Sequence, residues 1–78
     1  MPRYYFHLHD GAEGRDEEGR ELADVDAARA EAIRGARDVM AEDVRQGSVT
    51  LSHWIEVRDQ GGHRVFSVGY RDAVEFRD

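Results

Sequence analysis

Four histidines, seventeen carboxylates, three serines and one threonine are the groups in this 78-residue chain that could do chemistry. His7 and His9 stand two apart, a spacing that on a strand points both imidazoles the same way, where neutral ring nitrogens can share a metal. Nothing completes the ligand set. The chain has no cysteine, so there is neither a thiolate ligand nor a disulfide, and the hairpin register derived below turns His53 to the opposite face. His7 and His9 remain candidate ligands, but no metal and no cofactor is expected. The acidic stretch from Gly11 to Leu22 fails as a calcium loop. With the required central glycine placed on Gly19, Gly14 and Val25 fall at the first and twelfth positions, where carboxylates belong. The hydroxyls of Ser48, Thr50, Ser52 and Ser67 lie in no Gly-x-Ser-x-Gly elbow, and there is no phosphate loop or dinucleotide fingerprint. No catalytic residue is assigned, and whether the chain is an enzyme stays open, with a non-enzyme favoured.

Charge narrows the partners further. The net charge is −6, and residues 10–31, with nine acids against three arginines, account for all of it. An acidic surface repels phosphate backbones and membrane headgroups, so nucleic acid is disfavoured and membrane binding is not expected. All eleven basic residues are arginine, which is read as the composition a GC-rich genome writes by default rather than as phosphate recognition. Met1-Pro2 reads as a natural start with no secretory leader, and no apolar run approaches the ~20 residues of a membrane span. A cytoplasmic location is expected.

The elements that must position these groups follow from periodicity. Residues 3–9 alternate, with Tyr4, Phe6 and Leu8 pointing one way and Tyr5, His7 and His9 the other, which is a half-buried strand ended by Asp10-Gly11. A polar loop follows over residues 11–22, with a turn at Asp16-Glu17-Glu18-Gly19 and a short edge strand over residues 20–22. Asp24 is the expected N-cap of a helix. Its apolar stripe is Val25, Ala28, Ala32, Ile33, Ala36, Val39, Met40 and Val44, and Gly47 stops it. Outer-face pairs Glu31–Arg34, Arg34–Asp38 and Glu42–Arg45 are expected, while Gly35 has no evident reason.

The last third reads as a hairpin. A two-residue turn at Gly61-Gly62 sets Val57 opposite Phe66, Ile55 opposite Val68, Asp59 opposite Arg64 as an ion pair, and Trp54 across Gly69, which the indole would cover. Residues 72–76 form a short tail, either a helical turn or a strand extension. The whole chain, residues 1–78, is expected to be one α+β domain of order β-(short β)-α-β-β, with one long helix on one face of a small antiparallel sheet.

One helix cannot cover both faces of that sheet. The open face should carry Tyr5, His7, His9, Trp54, Glu56, Arg58, Val65 and Ser67. Exposed aromatics on such a face point to an interface, so Tyr5, His7, His9, Trp54 and Arg58 are the candidate binding residues.

Pro2-Arg3-Tyr4-Tyr5-Phe6-His7-Leu8-His9-Asp10-Gly11, Asp16-Glu17-Glu18-Gly19-Arg20-Glu21-Leu22, Ala27-Ala28-Arg29-Ala30-Glu31-Ala32 and Ile55-Glu56-Val57-Arg58-Asp59 together resemble a bacterial domain-of-unknown-function family. Its members are small single-domain proteins of about this length, frequent in GC-rich soil and plant-associated bacteria. The resemblance covers nearly the whole chain, is most specific in the opening segment, and implies no catalytic or binding residues. The residues fit best a non-enzymatic protein-interaction or regulatory module acting as a homodimer. Two alternatives stay open: a small metal-dependent or acid–base enzyme using His7, His9 and nearby carboxylates, and a single-stranded nucleic-acid binder using the aromatic face.

Overall fold

The computed structural model describes residues 1–11 and 13–78. Ala12, within the loop expected over residues 11–22, and the side chain of Glu13 lie outside the described residues. Along the chain run β1 (Arg3–His9), β2 (Glu13–Gly14), β3 (Arg20–Glu21), α1 (Val25–Gln46), β4 (Trp54–Arg58), β5 (Arg64–Gly69) and a helical turn, α2 (Tyr70–Ala73). The expected α+β architecture is present, with every strand pairing antiparallel. β2 and β3 share one side of β1, β4 takes the other, and β5 lies beyond β4.

α1 begins and ends where its caps dictate. The Asp24 carboxylate accepts from the Ala27 N–H at 2.8 Å, satisfying one of the orphan donors of the first turn. At the other end Gly47 takes φ +102°, the left-handed conformation that glycine adopts without a Cβ penalty. Of the apolar stripe, Ala28, Ala32, Ala36 and Met40 are buried, and Ile33 and Val39 pack beside them. Val25 and Val44 stay exposed. Three buried alanines hold little side chain between the layers, so the helix lies close to the strands. Beneath it are Tyr4, Ile55, Val57 and Val68, joined by Tyr70 and Ala73. Val57 is fully buried and contributes roughly 2 kcal/mol of transfer free energy. The outer-face pairs Glu31–Arg34, Arg34–Asp38 and Glu42–Arg45 all form.

The hairpin departs from expectation at its tip. Trp54 to Val57 pair with Gly69, Val68, Ser67 and Phe66 in the expected register, but Arg58 then pairs with Arg64. Val65 is thereby left over as a bulge. Only Gly62 has positive φ, +81°, whereas a two-residue turn of the expected type needs it at both glycines. The loop instead holds three residues, closed by Asp59 N–H to His63 O at 2.9 Å and Gly62 N–H to Asp59 O at 3.1 Å. The Asp59–Arg64 ion pair does not form. The Asp59 carboxylate turns inward and accepts the N–H groups of Gly61 and His63, and its ionic neighbour is His63. The tail is a helical turn starting at Tyr70, whose N–H donates to the His53 carbonyl at 3.0 Å.

Candidate functional site

The open face is ordered by the β1–β4 register. His9 stands opposite Trp54, His7 opposite Glu56 and Tyr5 opposite Arg58, so Tyr5, His7, His9, Trp54 and Arg58 share one surface. Two rings meet at one end of it. The His9 imidazole stacks on the Trp54 indole with centroids 4.5 Å apart and planes 2° from parallel. Trp54 therefore does not cover Gly69 as expected. A Cβ built on Gly69 would meet only the Asp72 carboxylate, so the glycine leaves the platform open on its β5 side.

Beside the stack, Glu56 holds the row together. Arg58 grips both of its carboxylate oxygens, Nε to Oε1 at 3.0 Å and Nη2 to Oε2 at 3.1 Å, and His9 Nε2 lies 3.4 Å from Oε1. The Arg58 hydrogen bond is the main reason that the Glu56 carboxyl titrates below its usual range, against the opposing effect of burial and with His9 assisting. Arg58 also reaches the Gly62 carbonyl at 2.6 Å, tying the hairpin tip to the face.

At the other edge the turn over residues 16–19 is fastened to β1 by one side chain. Asp16 Oδ2 accepts the Phe6 N–H at 3.1 Å, and Oδ1 accepts from Glu18 and Gly19. The carboxylate thus fills the gap between β2 and β3, where β1 would otherwise lack a partner. Burial raises its pKa, but the N–H groups of Gly19, Phe6 and Glu18 and the nearby His7 outweigh that, leaving it below the usual value. In return the Asp16 N–H donates to His7 Nδ1 at 3.1 Å. An accepting Nδ1 places the ring hydrogen on Nε2. Gly19, at φ +70°, lies under Tyr5, where a Cβ would come within 2.8 Å of the ring.

Between these features lies an open concavity of about 730 Å³, bounded by Tyr5, His7, Arg15, Asp16, Arg58 and the hairpin tip. Arg15 and Asp16 had no place among the sequence candidates. Asp-x-x-Gly signals a turn, but nothing in it signals that the aspartate also reaches a strand.

The four histidines do not converge. His53 packs edge-on to Tyr70, and His63 lies exposed on the hairpin loop beside Asp59. Among the described residues, no three His, Asp or Glu side chains are grouped to hold a metal ion. None of the described helices is long and apolar enough to cross a membrane.

A single long helix on one face of a small antiparallel sheet, with the second face carrying an aromatic platform and a polar cleft, makes this a compact α+β domain. The chain belongs to the family described as a domain of unknown function, DUF6894, whose model matches residues 3–71. No curated protein and no solved structure matches it.

Proposed function

We propose that the chain is a non-enzymatic interaction module that pairs with a second copy of itself through the His9–Trp54 end of the open sheet face. The observation that carries this is Trp54, 41% exposed yet held flat by stacking on His9. A rigid aromatic surface with little conformational freedom left to lose is what the energetic centre of an interface needs. Its surroundings favour a like partner. Glu56 and Arg58 neutralise each other in place, so two copies related by a two-fold axis can meet there without like-charge repulsion. The acidic residues 10–31 offer no such meeting point.

Light scattering at micromolar concentration should read a dimer for the parent chain and a monomer for Trp54→Ala, with unchanged far-ultraviolet circular dichroism. A monomeric parent, or a Trp54→Ala variant that stays dimeric, would overturn the assignment. Single-stranded nucleic acid also fits stacked rings, but the charge of −6 opposes it, and an oligonucleotide shift at low salt would decide in its favour.

A further inference from the structure

The cleft at the opposite end of the open face has its own hydrogen-bonding balance. Every carboxylate that lines it is already engaged: Asp16 by three backbone N–H groups, Glu56 by Arg58 and His9, and Asp59 by the N–H groups of Gly61 and His63. Three of its donors are not. His7, which lines the cleft, uses Nδ1 as an acceptor, so its ring hydrogen lies on Nε2, which has no partner among the described residues. The Tyr5 hydroxyl and the Arg15 guanidinium, which line the same space, have no partner among the described residues. Arg15 is also the one cationic side chain on the cleft wall without a carboxylate beside it among those residues, since Arg58 is paired with Glu56. A concavity whose carboxylates are engaged while three of its donors have no partner among the described residues is complementary to an acceptor, and a guanidinium next to neutral N–H and O–H donors matches a carboxylate. The flat Tyr5 and His7 rings suit a planar group attached to it.

We infer that this cleft is a binding site for a small carboxylate-bearing ligand, held by Arg15, His7 Nε2–H and the Tyr5 hydroxyl. Asp16 positions two of these elements at once, since its carboxylate fastens the segment that carries Arg15 and its N–H sets the His7 tautomer. The net charge of the chain works against anions at long range. Binding therefore rests on short hydrogen bonds and should discriminate by shape rather than by charge alone. His9, Glu56 and Arg58 border both this wall and the proposed dimer contact, but Trp54 lines only the latter and Arg15 only the former, so the two assignments are read at different residues.

The test is a titration of the full chain with sodium benzoate at constant ionic strength, followed by nuclear magnetic resonance of the His7 and Tyr5 ring signals and the Arg15 Nε–H. Saturable shifts at these three groups, with the Trp54 indole unmoved, are expected. Arg15→Gln and Tyr5→Phe, both conservative changes at partly or fully exposed positions, should each weaken binding by about tenfold, as the loss of a hydrogen bond to a charged group does. Absence of saturable shifts up to roughly 50 mM benzoate, where even millimolar affinity saturates, would overturn the site. So would equal binding by inorganic phosphate, or a Tyr5→Phe variant that binds like the parent. Light scattering on the same samples reads the dimer separately, so failure of one assignment leaves the other standing.

Discussion

Asp16 shows how much one side chain can settle in a domain this small. Its carboxylate replaces a strand partner for Phe6 and closes a turn on Glu18 and Gly19. Because its pKa is lower in the folded chain than its usual value of 3.8, its stabilisation is complete above that value and is lost as pH falls through the lowered one. Asp16→Asn should therefore be less stable than the parent at neutral pH and lose less stability below about pH 4. Urea midpoints measured across the acid range will show the two curves converging; parallel curves would mean that the carboxylate is not held as described. Tyr70 makes the converse case. Its hydroxyl is buried with no hydrogen-bond partner, and burial, with Asp43 and Asp10 nearby, raises its pKa. Removing an unpaired buried hydroxyl relieves a desolvation cost, so Tyr70→Phe should be neutral or stabilising by up to about 1 kcal/mol in the same assay. A loss larger than that would mean the hydroxyl holds a buried water.

At the scale of elements, the glycines sort into opposites. A Cβ on Gly35 would sit 3.8 Å from the Ile55 side chain, an ordinary contact, so Gly35→Ala should raise the unfolding free energy by about 0.5–1 kcal/mol through helix propensity alone. Gly19→Ala should lower it by more than that, since its φ is positive and the new methyl would meet the Tyr5 ring and the Tyr4 carbonyl at 2.8 and 2.9 Å. Chemical denaturation of both variants checks the signs. The elements themselves were largely legible from sequence. Asp24 and Gly47 bound the helix, and strict alternation placed Tyr5, His7 and His9 together opposite the core. The hairpin tip was not legible, because Gly61-Gly62 permits a two-residue and a three-residue loop alike. The choice depends on the Asp59 carboxylate turning back onto two N–H groups. Nor was the partner of Trp54, since both His9 and Gly69 stand across from it and only ring packing selects between them. The cleft escaped for a related reason: Arg15 and Asp16 reach it by a side-chain bond to β1 that has no periodic signature.

For the whole molecule, the uneven distribution of charge gives the proposed dimer a distinctive salt response. Two chains of net charge −6 repel at long range, while the Trp54 platform sits beside the mutually neutralised Glu56 and Arg58. Added salt screens the repulsion and leaves the contact itself nearly untouched. The dimer should therefore tighten as sodium chloride rises from roughly 20 to 500 mM, over which the screening length shrinks from about 20 Å to about 4 Å. Sedimentation equilibrium reads this directly, and a dimer that loosens with salt would place charge pairs at the contact instead.

The antiparallel pairing of β1 with β4 joins residues that are 45 positions apart at His9–Trp54 and 53 apart at Tyr5–Arg58, whereas β4 and β5 meet across a loop of three residues. In kinetic terms the hairpin and helix are quick, local events, and the seating of β1 is the slow one, because a loop of some fifty residues must close before its pairing repays the entropy. The open face spans that late seam, with Tyr5, His7 and His9 on one side and Trp54 and Arg58 on the other. Both the aromatic platform and the cleft need β1 and β4 side by side, so neither is complete until the first strand has docked.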